Sequence, residues 1–589
     1  MTLGTLGSCS GLLAAVPSFD TIIQSDADIT ITVRSISELH ERLEGHPFVA
    51  LYESGGIKDL FAKFEIEEEV SDEPSSFLEV AQARFGLSCE DLLELFPGQL
   101  AISVDSMIDA MEGKLDRPDL MILAECTADT DRMQELMQIQ FEHNAAEQKA
   151  VNPLMEHHLI ERDFMGETLY LDETFDGENT YIEDAYALVD GVFVLASPVA
   201  RLEAAVEAIK EGSRDSLERS QVYQRVIDVG GRGDVRLYCN LRSLLSPLKS
   251  LMAESQEMAG GMAMLGVTAD SVWSAIGLDA LDAFWMDADL IEDGAALSSG
   301  LLYSEKSGFL KMLAYENGTL PDAGYVPADA LTSSVARFDI TEMFAALEAI
   351  LSTASPNMGQ LLNLQLLNLQ STAGVDLRAA ILNNFGDEMV SYTMLGDSAD
   401  GMEALQGAST IYVISVQDTN LMAQGIDGLL AQAPMLKPMM STEEFAGQTL
   451  NIFKNIPNPN MPEVNSEFSY VLTRSSLIFC TGPTSSLKSA LTRMDQDNEG
   501  FWERADILDA FDRIGMEQSV GRVAYDFSDT GDAFVAYCEL LGQSFMKAQG
   551  RELDLSDVKI DFPYLMLSET VEEADGLISK SLIILKEED

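Results

Sequence analysis

The sequence predicts an α+β protein made of two homologous repeats, each a mainly antiparallel sheet with helices packed on one face. Two observations lead to this prediction. Sequence blocks from the first half recur in the same order in the second half, which is typical of an internal duplication. In addition, β-type segments are joined in pairs by tight turns, and connections this short are compatible only with antiparallel pairing.

The first recurring block is a strand followed by a helix. It occurs as two pairs of segments, Ile29–Val33 with Ser35–Leu39 and Ser333–Arg337 with Asp339–Met343. Each strand segment alternates between apolar and polar residues, which indicates a half-buried strand. A hydroxyl side chain, Ser37 in one copy and Thr341 in the other, is predicted to cap the helix that follows.

Five further blocks recur in order along the two halves. They are Gly86–Val104 with Gly374–Tyr392, Leu120–Glu125 with Ile411–Val416, Phe164–Leu169 with Phe445–Leu450, Tyr186–Val206 with Tyr470–Leu491, and Val235–Leu241 with Gly521–Phe527. The fourth pair is the clearest, because each copy has a strand, a tight turn, a strand, a proline and a helix. Pro198 and Pro483 stand at the helix starts, where a missing N–H costs nothing.

These blocks define the predicted domains. A chain of 589 residues needs at least two domains, since single cores rarely exceed about 250–300 residues. We expect an N-terminal tail or signal remnant at 1–27, the first repeat at 28–303, a linker at 304–329 and the second repeat at 330–589. The linker is rich in the Gly, Pro and Asp expected of a boundary. Whether the repeats share one sheet stays open.

The composition is strongly acidic. Ninety-eight Asp and Glu against 36 Lys and Arg give a formal net charge of −62. Such a surface repels phosphate groups, so we exclude DNA, RNA and anionic membrane surfaces as partners. The charge favours cationic partners or metal ions. Adaptation to a salty medium would explain the same acidity without any partner.

The sequence contains no apolar run near the roughly 20 residues that a transmembrane helix needs. At the N-terminus, Leu12–Pro17 resembles the end of a signal h-region and Leu6–Cys9 loosely resembles a lipobox. No Lys or Arg precedes either segment, so the signal is incomplete. We expect export to the periplasm, the envelope or the outside of the cell, with a cytoplasmic location as the open alternative.

Motifs for nucleotide binding, serine hydrolysis and zinc proteolysis are missing from the sequence, and it has no CxxC pair. We therefore predict no catalytic residues and no cofactor-binding residues. His157 and His158 are adjacent within a strand-like segment. Because neighbours on a strand point to opposite faces, we expect this pair not to converge on one metal ion.

One acidic segment has the ligand spacing of a calcium loop. Positions 1, 3, 5, 6 and 12 of an EF-hand loop are matched by Asp172, Thr174, Asp176, Gly177 and Glu183. The flanking segments are strand-like rather than helical, and the corresponding segment of the second repeat, Lys454–Glu463, has lost nearly all its carboxylates. Asp172, Thr174, Asp176 and Glu183 are thus a candidate calcium site, with a solvated hairpin loop as the alternative.

Four segments resemble an uncharacterised bacterial family of exported proteins, a domain of unknown function. They are Ile31–Leu43, His46–Phe48, Leu87–Gly98 and, most strongly, Tyr186–Ser197. The resemblance covers most of the chain, and the second half is similar to a weaker, tandem copy. It implies export and supplies no catalytic residues.

We expect a non-enzymatic envelope or secreted protein that binds an unidentified protein or small ligand, or has a structural role. A carboxylate-based hydrolase without a recognisable motif is one alternative. A calcium-dependent structural module built on the Asp172–Glu183 segment is another. The ligand and the oligomeric state are not indicated by the sequence.

Overall fold

A computed structural model describes residues 16–586, apart from residues 55, 65–81, 83, 84, 112, 113, 116, 129, 255–266, 399, 400, 458–464, 497, 498, 517, 529 and 549–552. The signal-like residues 6–9 and 12–15 lie outside this set. The chain forms two compact units, one of residues 1–41 with 71–244 and the other of residues 42–70 with 245–589. Both units combine helices with antiparallel strands, so the protein is α+β.

Eighteen α-helices lie within the described residues. In chain order they are α1 (Ile36–Leu43), α2 (Pro47–Ser54), α3 (Ile57–Phe64), α4 (Cys89–Leu95), α5 (Met107–Met111), α6 (Thr130–Val151), α7 (Val199–Glu211), α8 (Gln221–Gly230), α9 (Leu241–Glu254), α10 (Ala269–Ile276), α11 (Ile340–Ala354), α12 (Pro356–Ala373), α13 (Leu377–Ala380), α14 (Gly401–Gln406), α15 (Thr419–Gln432), α16 (Thr484–Met494), α17 (Ala505–Ile514) and α18 (Gly531–Ala548). None of these helices is long and apolar enough to cross a membrane.

Among its described residues, the first unit has eight strands that pair in one antiparallel series. From edge to edge they are β8 (Val235–Asn240), β1 (Ile29–Val33), β2 (Leu100–Asp105), β3 (Asp119–Glu125), β7 (Val192–Ser197), β6 (Thr180–Val189), β5 (Glu167–Phe175) and β4 (Glu156–Phe164). The run from β4 to β7 is a meander of hairpins, as the short sequence turns require. The predicted hairpin at Tyr186–Ser197 is confirmed, with Asp190 and Gly191 in its turn at positive φ.

The described part of the second unit has twelve strands, again all antiparallel. Their order is β9 (Leu281–Ile291), β10 (Gly294–Tyr303), β20 (Gly576–Leu585), β19 (Tyr564–Glu573), β18 (Gly521–Asp526), β11 (Thr332–Arg337), β12 (Phe385–Met394), β13 (Ser409–Val416), β17 (Ser476–Thr481), β16 (Asn465–Leu472), β15 (Gln448–Pro457) and β14 (Met440–Phe445).

The two sheets share one strand order. Reading from β8 to β4 in the first unit gives the same sequence of connections as reading from β18 to β14 in the second, with every strand number raised by ten. The helices that follow β7 and β17, α7 and α16, both begin directly after a proline, Pro198 or Pro483.

Apolar side chains close the core of each unit. In the first, α7 buries Leu202 and Val206 completely, and it packs against β6 and β7. In the second, α17 buries Ile507 and Ala510 in a cluster that includes Val471 of β16. Fully burying one such aliphatic side chain stabilises a fold by about 1.5–3 kcal/mol, so these helix faces hold the helices in place.

The compact units do not follow the predicted domain limits. The hairpin β9–β10 falls within the predicted first repeat, yet it pairs through β10 with β20 and belongs to the second unit. The segment 304–329, predicted as a linker, also belongs to the second unit, where Leu310 and Val326 are fully buried. The segment does contain the turns that its composition predicts, but its apolar residues lie in the core of the second unit.

The predicted helix caps were misplaced by two residues. Asp339 is the N-cap of α11, where its carboxylate accepts from the Glu342 N–H, and the Ser35 hydroxyl accepts from the Glu38 N–H at the start of α1. The hydroxyls of Ser37 and Thr341 instead donate to backbone carbonyls of Pro97 and Leu382. Both residues therefore tie their helix to a following segment of the chain.

Candidate cation site

The candidate site lies on one face of the β4–β5–β6 meander in the first unit. The hairpin register places His157 of β4 opposite Thr174 of β5, and Leu159 opposite Asp172. Because side chains alternate between faces along a strand, His157, Asp172 and Thr174 all point to the same side of the sheet. Three of the polar side chains are thus brought together by register alone.

The fourth residue, Glu183, lies on the same face beside a β-bulge. The pairing of β5 with β6 shifts register between Leu171 and Glu173, so the ladder on either side of Asp172 is out of step by one residue. Thr174 pairs with Tyr181, and Tyr170 pairs with Tyr186 beyond the bulge. A bulge re-aims side chains and is common next to functional sites. Alternation along β6 from Tyr181, which pairs with Thr174, places Glu183 on the face that carries Asp172, and the bulge brings Tyr186 to that face as well.

The four side chains are in mutual contact. His157 Nδ1 lies 3.2 Å from Asp172 Oδ1 and 3.0 Å from Thr174 Oγ1. The Thr174 hydroxyl lies 3.3 Å from both Asp172 Oδ1 and Glu183 Oε2. One ligand atom each from His157, Asp172 and Glu183 lie within 4.8 Å of one another. An imidazole and two carboxylates in this arrangement are able to hold a metal ion.

Most of the site is withdrawn from water. The side chains of His157 and Asp172 are 2% and 12% exposed, Thr174 is fully buried, and Glu183 is half-buried. Burial raises the pKa of Asp172, the hydrogen bond from His157 opposes this, and the nearby charge of Glu183 adds to the rise. The protein therefore resists placing a full negative charge on Asp172 unless a positive charge accompanies it.

Few hydrogens are available to the two carboxylates inside the cluster. The Thr174 hydroxyl supplies one and a neutral imidazole supplies another. With both carboxylates ionised, the cluster carries two negative charges, and the side-chain donors described around them, these two and the Gln148 amide, are all neutral. Among the residues that the structure describes, His157 Nε2 has no hydrogen-bond partner although the side chain is buried. A proton or a metal cation held between the two carboxylates would offset their negative charge.

Helix α6 supplies further contacts to the site. Gln148 donates from Nε2 to Glu183 Oε1 at 2.8 Å, and the ring of Phe141 meets the His157 ring edge-on with centroids 6.2 Å apart. On the sheet, Tyr170 and Tyr186 stack with centroids 4.8 Å apart. Glu183 and His157 are thereby held by a helix as well as by strands, which limits their movement.

Asp176, the remaining member of the predicted calcium set, is not part of the cluster. Its Oδ1 accepts from the backbone N–H groups of Glu178 and Asn179 at 2.8 and 2.7 Å, and these bonds lower the pKa of Asp176. It caps the turn between β5 and β6, with Gly177 at positive φ. The segment is a hairpin rather than an EF-hand, and three of the four predicted residues come together.

His157 is the site residue that the sequence analysis set aside. The two histidines do differ, since the His157 side chain is 2% exposed and His158 is exposed to solvent. The hairpin register explains why His157 meets the carboxylates. Pairing Phe164 with Glu167 across a two-residue turn places His157 opposite Thr174, and this could have been read from the sequence.

The second sheet has lost this cluster at the matching positions. Counting from the β14–β15 turn, Phe453 occupies the place of Asp172, and its buried ring packs near Phe468 and Tyr470. Glu467, three residues before Tyr470 as Glu183 is before Tyr186, accepts from the Thr484 N–H at 2.9 Å. The second sheet therefore uses aromatic packing where the first uses polar ligands.

A separate cavity of about 100 Å³ lies elsewhere in the first unit. Its lining includes Arg34, Arg232 and Arg236 with a single carboxylate, that of Asp20, among the described residues. Asp20 accepts from the Tyr223 hydroxyl at 2.9 Å and lies 3.4 Å from Arg232. The three arginines have carboxylate or carbonyl partners. With one carboxylate in its described lining, the cavity lacks the carboxylate pair of an acid–base hydrolase.

Comparison with known proteins adds no function. No protein-family model matches the chain, and no curated protein matches it. Solved structures of TP0453 in crystal forms IV, III and I are similar at 9%, 8% and 10% identity, with TM-scores of 0.22, 0.23 and 0.22. They cover 50%, 52% and 52% of this chain and 83%, 91% and 88% of their own. Similarity this low supports no argument.

Proposed function

We propose that the protein is a non-enzymatic binding or structural protein whose first sheet is stabilised by a divalent cation. The observation that carries the proposal is the meeting of His157, Asp172 and Glu183 within 4.8 Å in a largely buried place. Burying two carboxylates together is costly unless a positive charge neutralises them. A bound cation would join β4, β5 and β6, and through Gln148 it would act on α6.

The test is thermal unfolding of chelator-treated full-length protein with and without each of Ca²⁺, Mg²⁺, Mn²⁺ and Zn²⁺. A ligand that binds only the folded state at 100 times its Kd stabilises by about 2.7 kcal/mol. We expect at least one cation to raise the Tm of the wild type and not of Asp172→Asn. If all four cations act equally on both proteins, the proposal fails.

The matched control is Asp176→Asn. This change removes the same charge from the same hairpin, and asparagine can still accept the two turn N–H bonds. It separates binding at the cluster from the general attraction of cations to a chain of net charge −62. We expect Asp176→Asn to retain the full effect of the cation.

We further propose that the two halves are homologous repeats, in agreement with the resemblance to a tandem, exported family. The common strand order from β8 to β4 and from β18 to β14 supports this proposal. Each of the matching hairpins β5–β6 and β15–β16 also has a register shift, although the extra residue lies in β6 in the first and in β15 in the second.

Export remains part of the proposal and rests on the family resemblance and the acidic surface. N-terminal sequencing of the native protein, with its location in fractionated cells, tests it. Cleavage near Cys9 or Val16 together with an envelope or extracellular location would support export. An uncleaved chain in the cytoplasmic fraction would contradict it.

Carboxylate-based hydrolysis is the second candidate, favoured by the raised pKa of Asp172 beside Glu183. The geometry fits it less well. Oxygens of the two carboxylates lie within 4.8 Å, closer than the about 5–5.5 Å of retaining and about 6.5–9.5 Å of inverting glycosidases. Hydrolysis of a chromogenic glycoside by the wild type, abolished in Glu183→Gln, would favour this candidate over a cation site.

A further inference from the structure

We infer that the cation at this site is a transition-type divalent ion, with Zn²⁺ as the representative, rather than calcium. This inference rests on the proposed cation site and specifies its ligand. The residues that carry it are His157, Asp172 and Glu183, with Thr174 and Gln148 holding the carboxylates in position.

The kind of ligand atoms argues for this choice. Calcium takes about six to eight oxygen ligands, which an EF-hand supplies from five or six positions. Here Asp176 caps the turn and is not one of the clustered ligands, whereas the imidazole of His157 is one of them. Imidazole nitrogen suits zinc, copper, nickel and iron, whereas carbonyl and carboxylate oxygens suit calcium and magnesium. Imidazole nitrogen and carboxylate oxygen are both among the ligands that bind zinc in proteins.

The spacing agrees with a small ion. Ligand atoms about 2.1 Å from a tetrahedral zinc lie about 3.4 Å from one another. His157 Nδ1 and Asp172 Oδ1 are already 3.2 Å apart, and the third ligand atom lies within 4.8 Å of both. A modest rotation of the half-buried Glu183 side chain would bring its carboxylate oxygen to the same spacing from the other two ligand atoms. Three protein ligands leave a fourth position for water or a partner group, as in zinc sites that are not fully closed.

The surroundings have the supports that metal sites require. Ligating carboxylates are usually hydrogen-bonded by neighbouring groups, and losing such a neighbour costs about 10–100-fold in affinity. The Thr174 hydroxyl reaches Asp172 and Glu183, and the Gln148 amide donates to Glu183. His157, with its side chain 2% exposed, has a ring nitrogen without a partner among the described residues. That nitrogen is Nε2, whereas Nδ1 faces Asp172 and Thr174 and is the atom that would bind the ion.

The inference also explains the second sheet. Phe453 stands where Asp172 stands in the first sheet, and Lys454 lies 3.7 Å from Glu467. A lysine neutralises that glutamate without any ion. The second sheet thus has a lysine beside its half-buried Glu467, whereas the first has two acids and an imidazole that need an external cation.

The experiment is a competition between the chelator-treated protein and a zinc indicator dye, repeated with Ca²⁺ in place of Zn²⁺. We expect one Zn²⁺ per wild-type chain and a loss of affinity of about 100-fold in both His157→Gln and Asp172→Asn. Asp176→Asn should bind zinc like the wild type. Millimolar Ca²⁺ should not displace the zinc. Circular dichroism of each variant establishes that it is folded.

Three outcomes would overturn the inference, and they separate it from the wider proposal. Calcium bound at the cluster with no zinc preference leaves the cation site in place and removes its zinc character. Zinc bound equally by the wild type, His157→Gln and Asp172→Asn means adventitious binding to the acidic surface. No bound cation of any kind removes both the inference and the proposed function. Glu183→Gln serves as a second ligand variant if His157→Gln does not fold.

Discussion

At the scale of single residues, Asp172 has opposite effects on stability with and without a cation. Burial raises its pKa, so the folded, cation-free protein binds a proton more readily than the unfolded chain does. Stability contributed by this proton is present at low pH and is lost as the pH rises through the raised pKa. Above that pH, the ionised carboxylate is a cost that a bound metal ion removes.

The first prediction follows from this. In chelator-treated protein at neutral pH, Asp172→Asn should raise the midpoint of thermal unfolding of the first unit, because the amide carries no charge to bury. Below the ordinary pKa of aspartate, about 3.9, the difference from the wild type should vanish. Calorimetry across pH 3–8 measures it. A variant less stable than the cation-free wild type at every pH would show that the His157–Asp172 contact outweighs the buried charge.

The residues of the candidate site could be predicted from the sequence only where their spacing along a strand places them on one face. The alternate residues Asp172 and Thr174 share a face in any strand, and Glu183 follows after a turn, so the sequence singled out the segment in which these side chains meet. The bulge beside Asp172 has no signature in composition. The use of Asp176 as a turn cap depends on backbone geometry, which an EF-hand spacing does not distinguish from a hairpin.

At the scale of elements, the helices are held by one buried face rather than by their intrinsic stability. Helix α17 shows this with adjacent residues, since Ile507 is completely buried and Leu508 is 50% exposed. Isolated helices of ten residues are marginal in water, so packing decides whether α17 forms. The same reasoning applies to α7 and α16 in their places on the two sheets.

The second prediction compares these two neighbours. Ile507→Ala should cost about 2–5 kcal/mol because it leaves a cavity in the core. Leu508→Ala should change the unfolding free energy by less than about 0.5 kcal/mol. Urea unfolding followed by tryptophan fluorescence reports on this unit, because Trp502 lies 5.7 Å from Phe511 of α17. Equal costs for the two variants would contradict the packing described for the helix.

Elements were the most predictable level of the fold. The strand at Ile29–Val33 and the hairpin at Tyr186–Ser197 could be predicted because alternation and a two-residue turn are local features. Local features do not reveal which distant strand pairs with which. The hairpin β9–β10 was therefore assigned to the first repeat, although its hydrogen bonds run to β20, which is nearly 300 residues later.

At the scale of the whole molecule, the net charge of −62 sets the conditions for stability. Like charges repel more in the compact state than in an expanded chain, and salt screens the repulsion beyond about 10 Å at 0.1 M. The third prediction is that raising KCl from about 0.02 to about 0.5 M increases the Tm of both the wild type and Asp172→Asn by similar amounts. Calorimetry measures it.

This salt response also serves as a control for the cation site. A monovalent salt acts on the whole surface, whereas micromolar zinc should act on the wild type alone. If KCl lowers the Tm of both proteins, their stability depends on ion pairs such as Arg504 with Asp526 more than on relief of repulsion. If KCl stabilises only the wild type, monovalent ions occupy the cluster and the comparison with zinc loses its meaning.

The most direct test of the central claim is the position of zinc in crystals of the full-length protein grown with equimolar Zn²⁺. Anomalous scattering at the zinc absorption edge locates the ion independently of any assumption about its ligands. The account predicts a peak between the imidazole of His157 and the carboxylates of Asp172 and Glu183, and none at the equivalent place beside Phe453. Zinc peaks confined to surface acids, with His157 Nδ1 still hydrogen-bonded to an unliganded Asp172, would contradict it.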